Sequence, residues 1–283
     1  MKAASADNRP RRSPFADLDP MAPRHFTLAH HRLPQEDTFA QVGGHTGSFQ
    51  PCDNGHALIK NSSLTEYQFY EKVFKDRLPI CQFMPKYYGA LRSRSADNFQ
   101  IKIENLSQGM TAPGIMDVKI GCRSFSYGQL RKQGVKRGRA CYKSLRMFIS
   151  DKLSSSRDLG FRIVSHNKGV KSSAQYGLMD PAISIKQFSP LLLSTKKLII
   201  NELCKLLEFV ESPYFNRYSL IGTSVLICFD EHSAVPVARV KLIDFAHANS
   251  DGINDDKRIK NIKNFRYGVR RLIRLLNTSF EIS

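Results

Sequence analysis

Pro113-Gly114-Ile115-Met116-Asp117-Val118-Lys119-Ile120-Gly121 is the stretch on which the reading of this chain turns. Ile115, Val118 and Ile120 suit a buried strand. In an extended segment side chains alternate between faces, so Asp117 and Lys119, two residues apart, share one face. Four fixed residues at the Pro–x₃–Asp–x–Lys–x–Gly spacing arise by chance in roughly one chain of this length in three hundred. A buried ion pair would account for the acid and the lysine. So would a site that handles hydroxyls and phosphates together.

Toward the C-terminus, Leu242-Ile243-Asp244-Phe245-Ala246-His247 runs apolar residues into an acid at a strand end, followed by Phe. This is similar to the metal-binding Asp-Phe-Gly of protein kinases, and a carboxylate there can hold Mg²⁺ together with phosphate oxygens. No His-Arg-Asp catalytic loop occurs in the chain, which excludes a protein kinase by motif. Toward the N-terminus, Gln41 to Phe49 reads as strand, glycine turn, strand. Asp53-Asn54-Gly55 predicts a tight hairpin turn, because Asn-Gly supplies positive φ. Ala57-Leu58-Ile59-Lys60 reads as a strand and Leu64 to Phe74 as a helix, with Glu66 early enough to pair with Lys60. A glycine hairpin followed by a strand with a lone lysine is one way to cover nucleotide phosphates. It is also, more commonly, only a hairpin.

Pro85-Lys86-Tyr87-Tyr88-Gly89 leads into strands near Tyr88–Leu91 and Phe99–Ile103. Leu198, Ile199, Leu203, Leu206, Leu207 and Val210 share the apolar face of a helix over Thr195–Val210, with Ser194 as its cap and Pro213 just beyond. Strands are expected at Ser224–Phe229 and Val237–Asp244. A basic helix is expected over Asn264–Leu276, with Leu272, Ile273 and Leu276 turned inward. A β-rich half followed by a mixed half predicts an α+β fold of two lobes with a cleft between them. The boundaries read as a basic tail over 1–34, an N-lobe over 35–106 and a C-lobe over 107–283.

Taken together, Pro113–Gly121 and Ile243-Asp244-Phe245-Ala246-His247 resemble the paired signature of the inositol polyphosphate kinase family. Gln41-Val42-Gly43-Gly44-His45, Glu66 with Phe69-Tyr70, and Pro85–Gly89 agree, the last being most like the multikinase branch. The likeness spans about Phe39 to Leu276, with a poorly matched middle. It implies an ATP- and Mg²⁺-dependent kinase acting on soluble inositol polyphosphates, converting trisphosphate towards pentakisphosphate. On that resemblance Lys60 contacts the ATP phosphates, Glu104 and Leu106 offer backbone groups to adenine, and Asp117 binds the ribose hydroxyls. Lys119 bridges the transferring phosphoryl group and the acceptor. Asp244 holds Mg²⁺ with Ser224 nearby, and His247 touches a substrate phosphate. Gln133 and Lys136 match the family's Gln-x-x-Lys substrate element, an i, i+3 pair expected on one helical face, amid Arg131, Lys132, Arg137, Arg139 and Lys143.

The sequence also departs from the family. Asn105 stands where the hinge carries an acid, and Thr223-Ser224-Val225-Leu226 where the strand reads Ser-Ser-Leu-Leu. Arg137-Gly138-Arg139 replaces Tyr-Pro after the Gln-x-x-Lys element. Leu159-Gly160-Phe161-Arg162-Ile163 is closer to the trisphosphate 3-kinase branch, and the hexakisphosphate kinase branch also stays open.

The bulk properties fit an anion-handling globular protein. Of 283 residues, 43 are Lys or Arg and 25 Asp or Glu, a formal charge of +18 that favours an anionic partner. Phosphoinositide head groups would satisfy that charge too. A non-enzymatic nucleic-acid or chromatin-binding scaffold would as well, but it leaves the Asp117, Lys119 and Asp244 pattern without a purpose. Six scattered cysteines with no metal-like spacing predict reduced, mostly buried thiols. No apolar run is long enough for a transmembrane segment or a secretory leader, so a monomer in the nucleus or cytoplasm is expected. Arg9-Pro10-Arg11-Arg12 would serve as an import signal or simply as solvated charge.

Overall fold

The computed structural model describes residues 48–92, 99–123, 136–166, 191–233, 235–250 and 255–278. Two four-stranded antiparallel sheets form its frame. The first contains β1 (Phe49–Cys52), β2 (Ala57–Ser62), β3 (Tyr87–Arg92) and β4 (Phe99–Glu104) in the order β1-β2-β4-β3. The second contains β5 (Gly114–Ile120), β6 (Phe161–His166), β7 (Ser224–Asp230) and β8 (Val237–Ile243) in the order β6-β5-β7-β8. The deciding stretch is therefore a central strand, buried along almost its whole length. The α+β architecture expected from the sequence is the one observed.

Helix α1 (Leu64–Lys75) follows β2 directly. Its N-terminus carries Ser63-Leu64-Thr65-Glu66, the pattern of a capping box, and the Ser63 hydroxyl accepts from the Glu66 amide at 3.2 Å. The Glu66 carboxylate does not return to the cap as that motif would have it. It accepts from Ser62 Oγ at 2.9 Å and is committed to the cleft. Helices α2 (Arg137–Leu153) and α3 (Ser156–Leu159) precede β6, while α4 (Leu193–Glu211) and α5 (Asp255–Thr278) pack behind the second sheet. Close approach of α5 depends on glycine: a Cβ on Gly268 would lie 2.1 Å from the Gly160 carbonyl oxygen. Leu272 and Leu276 are fully buried there, and Ile273 packs against the same core, as the inward face predicted.

The β1–β2 hairpin turns through Asp53 to His56 with Asp53, Asn54 and Gly55 all at positive φ, as the Asp-Asn-Gly turn predicted. The structure corrects several other local expectations. Helix α4 begins at Leu193, so Ser194 lies inside it and makes no cap bond. The Leu192 amide instead donates to Glu231 Oε1 at 2.7 Å. Leu198, expected on the core face, is exposed. The last helix starts nine residues before the expected Asn264. All six cysteines are free, but only Cys228 is buried, and Cys141 is exposed. Among the described residues no helix is long and apolar enough to cross a membrane.

Candidate active site

β2 and β8 carry the residues that close the site. In β2 the alternation that buries Leu58 sends Lys60 to the same face, opposite Ile101 of β4. Lys60 Nζ donates to Glu66 Oε1 at 2.8 Å and to Asp244 Oδ1 at 2.9 Å, so one ammonium spans both lobes. Burial alone would lower the Lys60 pKa. The neighbouring charges of Glu66 and Asp244 outweigh it and hold the ammonium above its ordinary range.

Asp244 stands just past β8 with φ 64, a left-handed conformation uncommon for a side-chain-bearing residue though tolerated by Asp. That turn aims the carboxylate at Lys60 while the next residue enters the core. Phe245 is completely buried, stacked on Phe69 at 4.8 Å and edge-on to Tyr70 at 5.5 Å. Its amide donates to Glu66 Oε1 at 3.1 Å. Burial would raise the Asp244 pKa, but the Lys60 charge and hydrogen bond, with Lys119 behind them, bring it below the ordinary carboxylate value.

Asp117 behaves oppositely. It is almost wholly buried, and that burial, reinforced by the charge of Asp244 and only partly offset by Lys119, pushes its carboxyl up to about 6. Its Oδ1 finds no hydrogen-bond partner among the described residues. The buried hydroxyl of Ser224, opposite Lys119 in the β5–β7 register, faces this carboxyl and offsets part of the rise. An orphaned buried oxygen costs about 1–3 kcal/mol, which a ligand can recover.

These groups fit a hard divalent cation. Two carboxylates stand close enough for one to raise the other's pKa, beside an unused buried oxygen and a hydroxyl. Among the described residues no three His, Cys, Asp or Glu side chains cluster as a self-sufficient metal site. A cation here would complete its shell with phosphate oxygens and water, the habit of Mg²⁺.

A cavity of about 80 Å³ lies in the cleft between the sheets. Phe49, Leu58 and Ile103 from the first sheet face Ile115, Leu226 and Cys228 from the second, with Lys60 and Asp244 also lining the space. An apolar slot with charge at one end suits a flat aromatic ring attached to phosphates. Glu104 and Leu106 line the strand-to-loop crossing between the lobes, as expected. The Arg239 guanidinium donates to the Leu106 and Gln108 carbonyls at 2.7 and 2.8 Å, so Leu106 has its amide to offer a base. Asn105, in place of the family's acid, holds the crossing by its side chain. Its Nδ2 donates to the Gly55 carbonyl at 2.7 Å, and its Oδ1 accepts from the Ser107 amide at 3.1 Å.

His247 is half-buried. Burial, followed by the charges of Lys143 and Lys119, lowers its pKa, which keeps the imidazole neutral at pH 7. Lys143 comes from α2, so that helix brings a cation into the field of Lys119. Gln133 lies outside the described residues, and Lys136 is the exposed residue preceding α2 rather than a member of the helix, whose regular structure begins only at Arg137. Lys60, Glu66, Asp117, Lys119, Ser224 and Asp244 do converge. The sequence reading passed over Arg239, and it named Tyr70 and Lys143 only as neighbours of other motifs. Tyr70 lines the cleft with its phenol raised by burial and by Glu66. Only its place beside Phe69 on the first helix marked it, and no local pattern marked Arg239.

Fold and site together define a two-lobed α+β protein whose cleft pairs a bridging lysine with two carboxylates. Residues 100–182 and 185–277 match the family model described as inositol polyphosphate kinase. The chain belongs to the inositol polyphosphate kinase family. It is 26% identical over 238 residues to the inositol-trisphosphate 3-kinase A of Rattus norvegicus, covering 74% of this chain and 50% of that one. The chain thus spans about half the length of that relative. It is 25% identical over 243 residues to the inositol polyphosphate multikinase of Schizosaccharomyces pombe, covering 74% of this chain and 86% of the relative. Its fold is similar to the crystal structure of the inositol phosphate multikinase Ipk2 of S. cerevisiae, in complex with ADP and Mn²⁺. That match has a TM-score of 0.59 at 19% identity and covers 79% of this chain and 99% of the other.

Proposed function

We propose that this chain transfers the γ-phosphate of ATP to hydroxyls of soluble inositol polyphosphates, multikinase-like, from trisphosphate towards pentakisphosphate. The observation that carries the reading is the Lys60 bridge to Glu66 and Asp244, set against the Asp117 and Lys119 face of β5. Phosphoryl transfer asks a protein mainly for alignment and for positive charge where negative charge spreads. Lys60 meets the nucleotide phosphates from above, held at the right height by Glu66. Lys119 meets the transferring group and the acceptor from below. Asp244, with Ser224 beside it, would hold Mg²⁺, which when bound neutralises phosphate oxygens, and Asp117 would bind the ribose hydroxyls. Glu104 and Leu106 present backbone groups to adenine. Lys119, Lys143 and neutral His247 receive the phosphates of the acceptor, with Lys136 and Gln133 extending that surface. A formal charge of +18 steers a polyanion towards it.

The test is turnover of ATP and Mg²⁺ over a panel of inositol tris-, tetrakis-, pentakis- and hexakisphosphates, with Lys119→Ala as control. Sequential conversion of trisphosphate to pentakisphosphate, lost in the variant, is the expected result. Absence of turnover in folded protein overturns the reading. A second reading, addition of a single phosphate to the trisphosphate, is favoured by the 3-kinase-like Leu159–Ile163 segment and the likeness to the rat 3-kinase. The same panel separates the two, because that activity stops at tetrakisphosphate. A nuclear or cytoplasmic location belongs to the same proposal and is checked by imaging a tagged chain.

A further inference from the structure

Helix α2 is built inside out. At 3.6 residues per turn, Tyr142, Leu145 and Ile149 fall within an arc of about 60°. They are 69%, 58% and 48% exposed, respectively. The opposite side of the helix carries Ala140, Ser144, Met147 and Asp151, and this is the side turned inward: Ala140 and Asp151 are buried, Ser144 and Met147 half-buried. A helix on an ordinary water-facing surface has the reverse pattern. Its charge is one-sided as well. Arg137, Arg139, Lys143 and Arg146 are all exposed, Arg139 and Arg146 lying along one edge of the apolar arc. The helix contains a single acid, Asp151, which is withdrawn from the surface and paired with Arg162 at 3.0 Å.

We propose that α2 is an interfacial helix that seats this protein on an anionic lipid bilayer. An exposed apolar stripe bordered by cations matches such a surface, where the hydrocarbon takes the stripe and acidic head groups take the cations. The partner is a surface rather than a groove. The Ala140–Asp151 side stays packed in the fold, so only one shallow face is on offer, whereas a protein groove grips an amphipathic helix along several turns. Lys143 of the same helix acts on His247, so α2 packs on the side of the molecule that carries that residue. The proposal stands on exposure and charge alone and does not depend on phosphoryl transfer.

The experiment is co-sedimentation of the full chain with vesicles of phosphatidylcholine alone, and with roughly 30% phosphatidylserine, at about 0.1 M salt. The chain is expected to pellet with the acidic vesicles and not with the neutral ones. In the Leu145→Glu/Ile149→Glu variant, whose side chains touch no part of the proposed phosphate site, association should fall about ten-fold or more. Leu145→Phe/Ile149→Leu should retain it. Thermal unfolding of each variant confirms that the fold survives the substitution. Equal binding of the double Glu variant and the unaltered chain would assign the interaction to another basic surface and overturn the proposal. Absence of vesicle binding would overturn it too. In that case light scattering that shows a dimer dissociated by Leu145→Glu/Ile149→Glu would assign the face to a second copy of the chain.

Discussion

Lys60 of the first sheet and Asp244, just past the last strand of the second, approach to 2.9 Å across the cleft. Asp244 remains 42% exposed, so this pair is screened and contributes little to stability by itself. Its value is positional: it holds the cation and the carboxylate at the place where phosphates and metal would separate them. Lys60→Met and Asp244→Asn are each expected to lower turnover by roughly 10²- to 10³-fold. Asp244→Asn should change the melting temperature little, whereas Lys60→Met also strands the buried Glu66 carboxylate and should lower it. A large loss of stability with unchanged specific activity would make the pair structural.

Asp117 offers a pH signature. Its carboxyl is raised to about 6, above its ordinary value of 3.8, so the folded chain binds a proton that the unfolded chain has released between those pH values. Stability of the metal-free protein must therefore fall as pH rises from about 4 to 6. Asp117→Asn removes the buried charge. It is expected to stabilise the metal-free chain at pH 7 by about 1–3 kcal/mol while abolishing turnover. Denaturant titrations at pH 5 and 7 decide this. A variant no more stable than the unaltered chain at pH 7 would show that the buried charge is not the source of strain.

Asp230, at the end of β7, titrates in the other direction. Burial would raise its carboxyl, yet hydrogen bonds from the His232 amide, the Ser233 hydroxyl and the Thr111 and Ala112 amides bring it down to about 2. Its stabilisation is present above the unfolded value near 3.8 and disappears as pH falls through 3.8 towards 2. Asp230→Ala strands those donors and should cost about 2–3 kcal/mol at neutral pH, with the loss shrinking in acid. Chemical denaturation at pH 7 and pH 3 measures both.

Gly268→Ala should be among the more damaging small changes. The new methyl carbon would sit 2.1 Å from the Gly160 carbonyl oxygen, and Ile120 Cγ2 at 3.0 Å leaves it little room to shift. A destabilisation of about 2–3 kcal/mol is expected from forced separation of α5 and the β6 edge. Ala at Gly138, which has nothing within 4 Å, should leave stability unchanged or improve it, and serves as the control.

Local chemistry made most of the frame legible. Alternation in Pro113–Gly121 determined that Asp117 and Lys119 share a face, and the apolar run into Asp244 determined a strand end with a carboxylate on it. The 3.6-residue spacing of Ile199, Leu203, Leu206 and Val210 determined the inward face of α4. Motif spacing likewise pointed to Lys60, Glu66 and Asp244, because each lies within a segment whose own pattern fixes its direction. Contacts between segments far apart in the chain were decided only by the tertiary structure. Lys60 meets Asp244 across 184 residues, and Arg239 reaches the Leu106 carbonyl across 133. Glu66 reads in sequence as a partner of Lys60, but its second tie, accepting from the Phe245 amide, joins segments 179 residues apart. The elevation of the Asp117 carboxyl and the reversed faces of α2 were equally out of reach. Burial and a neighbour's charge are properties of the assembled molecule, and no single segment carries them.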